Sequence, residues 1–244
     1  MGDKNTNIML LNETMTWGIV LFLLVMSLFL DSRFTVLAVF WILKLMITGN
    51  ARRLYFEQYE SVVCYIRRLL YPLSCLLPVF LLDDSIWKTD ICVIIWSMIA
   101  LMIGFLFLLP KYREWSLFLS KDMIMLGRKK EKYDYISQSL LLAIGAAAEE
   151  IFYRGFVIGF MVDYVPHAVL VLTSCLLFFG HHFSVKWNSK FKIYDYVIQI
   201  LFAAVSSVIF LCSGSVIPCI AAHLAYNSVF IFLEMKSYSV FYKM

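Results

Sequence analysis

The sequence predicts an all-α, polytopic membrane bundle of about eight transmembrane helices, and three observations point to it. Of the 244 residues, 62% are apolar and 16% are charged, against roughly 25% charged in an average soluble domain. A helical span needs about 20 apolar residues, so the chain holds material for about eight, with too few polar residues left to coat a soluble globule or to keep the chain disordered. The apolar residues fall in long runs divided by short polar breaks, and the basic residues fall in alternate breaks.

The first run, 15–31, follows a segment with no basic region and no small-residue cleavage site, so it is expected to be a retained anchor and not a cleaved signal. The second, 34–49, carries Lys44 near one end, where a long amine is expected to snorkel to the surface. The third, 69–83, is short and holds Pro72 and Pro78, which predicts a kinked or re-entrant helix. The fourth is 89–110. Lys111–Asp134 follows as the longest polar stretch, too short for a separate domain. The fifth to eighth runs are 136–162, 165–184, 193–213 and 215–235. The chain therefore reads as one integral membrane domain in two parts. Residues 1–135 hold the first helices and a basic loop, and residues 136–244 hold the polar motifs.

With eight crossings, seventeen Lys and Arg residues face the same side as the N-terminus, and only Arg33 and Lys88 face the other. That bias predicts a cell-membrane protein with both termini in the cytoplasm and a third run that crosses. A net charge of +4 gives no reason to expect nucleic acid as a partner; the bilayer itself is the expected surroundings. The six cysteines are scattered without a CxxC pair and are expected to be buried thiols.

The functional argument rests on polar residues inside the runs, where a charge costs about 2.5–3.5 kcal/mol on insertion scales. The fifth run reads SLLLAIGAAAEEIFYRGFVIG, with Glu149 and Glu150 adjacent and past the middle of the bilayer. Arg154 is four residues after Glu150, so the two share a helix face and can pair. Glu149 lies about 100° round the helix and is free to act as a base. Gly145 to Ala148, and Gly155 with Gly159, let neighbouring helices approach closely. The sixth run ends LLFFGHHF, with His182 one turn after Phe178 and His181 beside it. In the eighth, His223 and Asn227 share a face and each needs a partner. His167 is expected at a membrane interface. No HExxH, GxSxG or P-loop pattern occurs.

Taken together, Glu149-Glu150-x-x-x-Arg154, Phe178-x-x-x-His182 and His223-x-x-x-Asn227 resemble the CPBP family. This is the CAAX-prenyl protease and bacteriocin-processing group, also called the Abi or type II CAAX endopeptidase family. The resemblance covers about residues 136–232, and the first four runs carry no recognisable motif. It implies a glutamate-type intramembrane endopeptidase acting on a membrane-embedded or membrane-associated peptide or protein. Glu149 would activate water, with His182 positioning it. Glu150 and Arg154 would form the supporting pair, with a share in the chemistry left open to Glu150, and His223 with Asn227 would stabilise the oxyanion. Phe178 and His181 would contact substrate. No cofactor is expected. Zinc held by two His and two Glu is the alternative not favoured. Processing of a bacterial peptide signal or bacteriocin, immunity, or cleavage of a regulator are the expected roles, with a non-catalytic adaptor as the competing one. One tension stands. The spans put His182 near the cytoplasmic face and Glu149 well across the bilayer, so a water-filled cavity or shifted helices must bring them together.

Overall fold

The computed structural model describes residues 4–51, 53–54, 60–184 and 192–243. Among these every regular element is helical: α1 Lys4–Phe29, α2 Arg33–Ala51, α3 Glu60–Leu76, α4 Ile91–Leu106, α5 Tyr112–Phe118, α6 Lys121–Leu126, α7 Lys132–Glu150, α8 His167–Ser184, α9 Ile193–Ser213 and α10 Ile217–Tyr242. Arg52, Lys186 and Lys190, which contribute to the charge bias, lie outside the described residues.

Each of the eight apolar runs is matched by a helix. Five segments are long and apolar enough to cross a membrane (Arg33–Ala51, Val62–Leu81, Ile91–Phe118, Ile193–Ser213 and Ile217–Tyr242), and Glu13–Phe29 and His167–Phe183 are shorter apolar helices. The side chains facing outward are apolar, among them Leu28, Ile91 and Met102, as expected where the solvent is hydrocarbon. The chain is a multi-pass membrane protein. The fifth run carries three charges and is not a single regular helix: α7 ends at Glu150 and a wider turn, Ile151–Phe156, follows it.

Helix boundaries follow from local chemistry. Pro72 sits inside α3, and Pro78 opens a tighter turn, Leu77–Leu81, that continues it, so the third run bends as its prolines predict. Asp90 accepts the Val93 amide at the start of α4, and Ser120 accepts that of Met123 at the start of α6, the usual satisfaction of unpaired N-terminal donors. α9 ends on Gly214, whose φ of 64° is the left-handed conformation that only glycine takes without strain. Ser215 next to it donates to the carbonyls of Ile86 and Lys88, each at 3.1 Å, tying the α9–α10 turn to the loop after α3. The last helix runs to Tyr242, beyond the expected end at 235, because the helix continues after its apolar stretch is over.

α10 is the axis of the bundle, packed chiefly on α7 and α4. α8 lies against α9, and α1 and α2 pack on α8 and α3. Gly104 sets the closeness of α4 to α10: a Cβ there would stand 2.7 Å from Cβ of Ala225. At one end of the bundle, ion pairs join neighbouring elements: Arg68 with Asp134 (3.6 Å), Lys111 with Asp195 (2.5 Å) and Lys130 with Glu234 (2.7 Å). Arg33 pairs with Asp31 in the turn between α1 and α2.

Two expectations need correction. Lys44 does not snorkel: it is fully buried, because α2 is packed on both sides by protein. Cys92 and Cys212 are exposed, not buried, since the outer faces of α4 and α9 meet lipid. The polar stretch Lys111–Asp134 holds the short helices α5 and α6.

Candidate active site

The diglutamate closes α7, and the next turn, Ile151–Phe156, is a π-helix, marked by the Val157 amide reaching back five residues to the Phe152 carbonyl at 2.9 Å. Such wide turns inside helices are frequent at functional sites. The two carboxylates diverge, as the 100° step predicts. Glu150 is fully buried and fully partnered. Arg154 approaches it at 3.1 Å, the Ser206 hydroxyl donates to Oε2 at 2.8 Å, and Nδ1 of His223 lies 2.7 Å from Oε1. The second Arg154 nitrogen donates to the Ala203 carbonyl at 3.0 Å. α7, α9 and α10 are thus joined around one carboxylate.

Glu149 turns the other way, toward a cavity of about 610 Å³. The Tyr71 hydroxyl donates to its Oε1, while its Oε2 is buried with no hydrogen-bond partner among the described residues. His182 and His223 stand close enough to act on its charge. His181, His182, His223 and Asn227 line the same cavity, with an apolar wall that includes Leu141, Leu142, Phe202 and Leu233. Arg68, Lys111, Asp195 and Glu234 also line it, so it reaches the end of the bundle that carries the ion pairs. Cavities of this kind, mostly apolar with a few convergent polar groups, are the usual form of a binding site.

The tension over depth is met by the cavity: Glu149 and His182 both line it, and it extends to the end of the bundle that carries the ion pairs. α7 starts at Lys132, earlier than expected, and α8 ends at Ser184 as expected.

Hydrogen bonds define what each ring can do. His182 directs Nδ1 to the carbonyl of Phe178 at 3.0 Å. That carbonyl can only accept, so Nδ1 carries the proton and, in the neutral ring, Nε2 is an acceptor. His223 directs Nδ1 to a carboxylate, so it can donate from Nε2 only as an imidazolium. His181 is buried and stacks on Tyr71 with centroids 5.4 Å apart. Phe178 is 3% exposed and seats its neighbours: its ring centroid is 4.5 Å from that of His182, 5.1 Å from that of Tyr153 and 6.5 Å from that of His223. Arg154 lies over the same ring at 5.1 Å. His167 opens α8 and is exposed. Among the described residues, no three His, Cys, Asp or Glu side chains are grouped so as to hold a metal ion.

Three residues at the site escaped the sequence reading. Tyr71 comes from α3 and Ser206 from α9. Lys44, from α2, donates to the Tyr153 hydroxyl at 2.6 Å. A buried lysine was the one available signal; a tyrosine or a serine in an apolar run carries none.

Comparison with known proteins agrees with the motifs. Residues 134–229 match the family model "Type II CAAX prenyl endopeptidase Rce1-like", and the three motifs lie within that segment. No curated protein and no solved structure gives a significant match.

Proposed function

We propose, from the premise that residues 134–229 form a domain of the type II CAAX prenyl endopeptidase family, that this membrane protein is an intramembrane endopeptidase using a water activated by Glu149. The family is one of peptidases, and such a peptidase acts on a peptide or protein in or near the membrane. The observation that carries the finer reading is Oε2 of Glu149, buried and unpartnered among the described residues on a carboxylate that faces the cavity.

A water in that cavity would give one hydrogen bond to Oε2 of Glu149 and the other to Nε2 of His182, leaving a lone pair directed at a peptide carbonyl. On attack, Glu149 takes the proton, and the new C–O bond places negative charge on the carbonyl oxygen. The Asn227 amide donates to that oxygen, joined by Nε2–H of His223 when the ring is protonated. The tetrahedral species collapses as the C–N bond breaks, and the Glu149 carboxyl returns its proton to the leaving nitrogen. Glu150, Arg154 and Ser206 hold His223 without entering the reaction. No metal is required by this scheme. The substrate is a membrane-associated peptide or protein, of the kind cleaved in maturing a bacterial peptide signal or bacteriocin, in immunity, or in releasing a regulator. The basic end of the bundle, where the cavity's charged residues lie, faces the cytoplasm in this reading.

Purified protein in detergent is incubated with membrane peptides, with and without a chelator. Cleavage that survives the chelator and is lost in Glu149→Gln and His182→Ala, with His181→Phe retaining activity, is expected. Full activity of Glu149→Gln would overturn the mechanism. Loss of cleavage to the chelator, restored by zinc, would replace it with a metal-assisted one. A Glu149→Ala protein that cleaves nothing but keeps its cellular effect would favour the adaptor.

A further inference from the structure

Among the described residues the buried side chains that carry a formal charge, histidine aside, are Lys44, Glu149, Glu150 and Arg154. That is two of each sign, in surroundings where an unbalanced charge is strongly unfavourable. Arg154 is committed to Glu150 by a 3.1 Å ion pair, with its other nitrogen on a backbone carbonyl. Histidine aside, the matched segment therefore holds one buried cation for two buried carboxylates among the described residues. The missing cation comes from the other half of the chain. Lys44 is fully buried; it donates to the Tyr153 hydroxyl, lies within hydrogen-bonding reach of the Cys75 thiol, and its amine is 5.7 Å from the centre of the Tyr71 ring. Tyr71 in turn donates to Glu149, and Lys44 is within electrostatic reach of that carboxylate.

We propose that Lys44 and Tyr71, supplied by α2 and α3 from outside the segment that bears the motifs, are the positioning residues of Glu149: Tyr71 fixes Oε1, Lys44 balances the charge, and Oε2 is left to face water. The other groups near Glu149 are already placed. His223 is bonded to Glu150, His182 to a backbone carbonyl, and His181 is stacked on Tyr71. Gly145, one helical turn before Glu149, presents no side chain to the Tyr71 ring, whose Cε1 would stand 3.7 Å from a Cβ there. The first half of the chain thereby becomes part of the site, and not only a membrane anchor for it.

This inference rests on Glu149 being the base, so its test includes a readout independent of catalysis. Lys44→Met, Glu149→Gln and the double variant are compared by thermal unfolding in detergent. Lys44→Met leaves the Glu149 charge unbalanced and lowers Tm, while adding Glu149→Gln removes that charge and recovers most of the loss. Additive losses in the double variant would overturn the pairing, as would an unchanged Tm in Lys44→Met. If Lys44→Met does not fold, folding of the double variant supports the pairing and its failure to fold overturns it. In the peptide assay, Tyr71→Phe lowers kcat by about tenfold or more, with KM little changed, because only the base is disordered. A wild-type kcat in Tyr71→Phe would overturn the role of Tyr71. An active Glu149→Gln would instead remove the proposed mechanism and leave the thermal coupling to be judged by itself.

Discussion

Arg154→Met tests the centre of the bundle. The side chain is fully buried, as is its partner Glu150, and the two meet at 3.1 Å. Methionine keeps much of the length and apolar bulk, so cavity formation is small and the change isolates charge. Removing one member of a buried pair costs about 3–5 kcal/mol, because the other charge remains without compensation. Ser206 and His223 still bond Glu150, which places the expectation near the lower end of that range. The hydrogen bond to the Ala203 carbonyl is lost as well, adding about 1 kcal/mol. The sum is about 4 kcal/mol. At about 2–4 °C per kcal/mol for a chain of this size, Tm falls by about 10 °C. Unfolding in mild detergent, followed by tryptophan fluorescence, measures it. The control is Glu150→Gln with Arg154→Met, which neutralises both partners and recovers most of the loss. A single variant within about 1 kcal/mol of wild type would refute the claim that this pair holds α7, α9 and α10 together.

Three further outcomes follow from the geometry. Asn227→Ala, which removes the proposed oxyanion donor lining the cavity, lowers kcat by about 10²–10³-fold with Tm little changed, as steady-state kinetics on a cleaved peptide would report. Gly104→Val forces α4 away from α10, since even a Cβ at that position would stand 2.7 Å from Cβ of Ala225; the expected loss is about 1–3 kcal/mol, read by the same unfolding assay. Asp83 accepts the Ser85 amide at 2.7 Å, and that backbone bond, then the Ser85 side chain, holds its carboxyl below the usual value of 3.8. A lowered folded value means that the stabilisation is present above the unfolded pKa and fades as pH falls through the folded one. A small decline in Tm as pH falls below about 4 is therefore expected to flatten in Asp83→Asn.

The resemblance in the second half was legible because its chemistry sits in short spacings. Glu150 to Arg154, Phe178 to His182 and His223 to Asn227 are each four residues apart, so helix geometry alone places each pair on one face. The divergence of Glu149 from Glu150 was legible for the same reason. Contacts between helices were not. Ser206 bonds Glu150 across fifty-six positions, Tyr71 reaches Glu149 across seventy-eight, and Lys44 reaches Tyr153 across one hundred and nine. Helices that face both hydrocarbon and protein are apolar on most sides, so periodicity does not say which face meets which neighbour. The misreading of Lys44 shows the consequence: distance along its own helix suggested snorkelling, and the packing of α2 buried it.

The amino-acid sequence by itself determined a helical membrane bundle, its asymmetry of charge and the residue types of the site, because backbone hydrogen bonds must be satisfied within each span and charges are excluded from lipid. Only the tertiary structure decided how those residues divide their work. Glu150 is enclosed by Arg154, Ser206 and His223, while Glu149 is held by Tyr71 at one oxygen and open to the cavity at the other. The difference between two adjacent, identical side chains is a difference in what the other helices bring to them, and in a low-dielectric interior the partners set what a carboxylate can do.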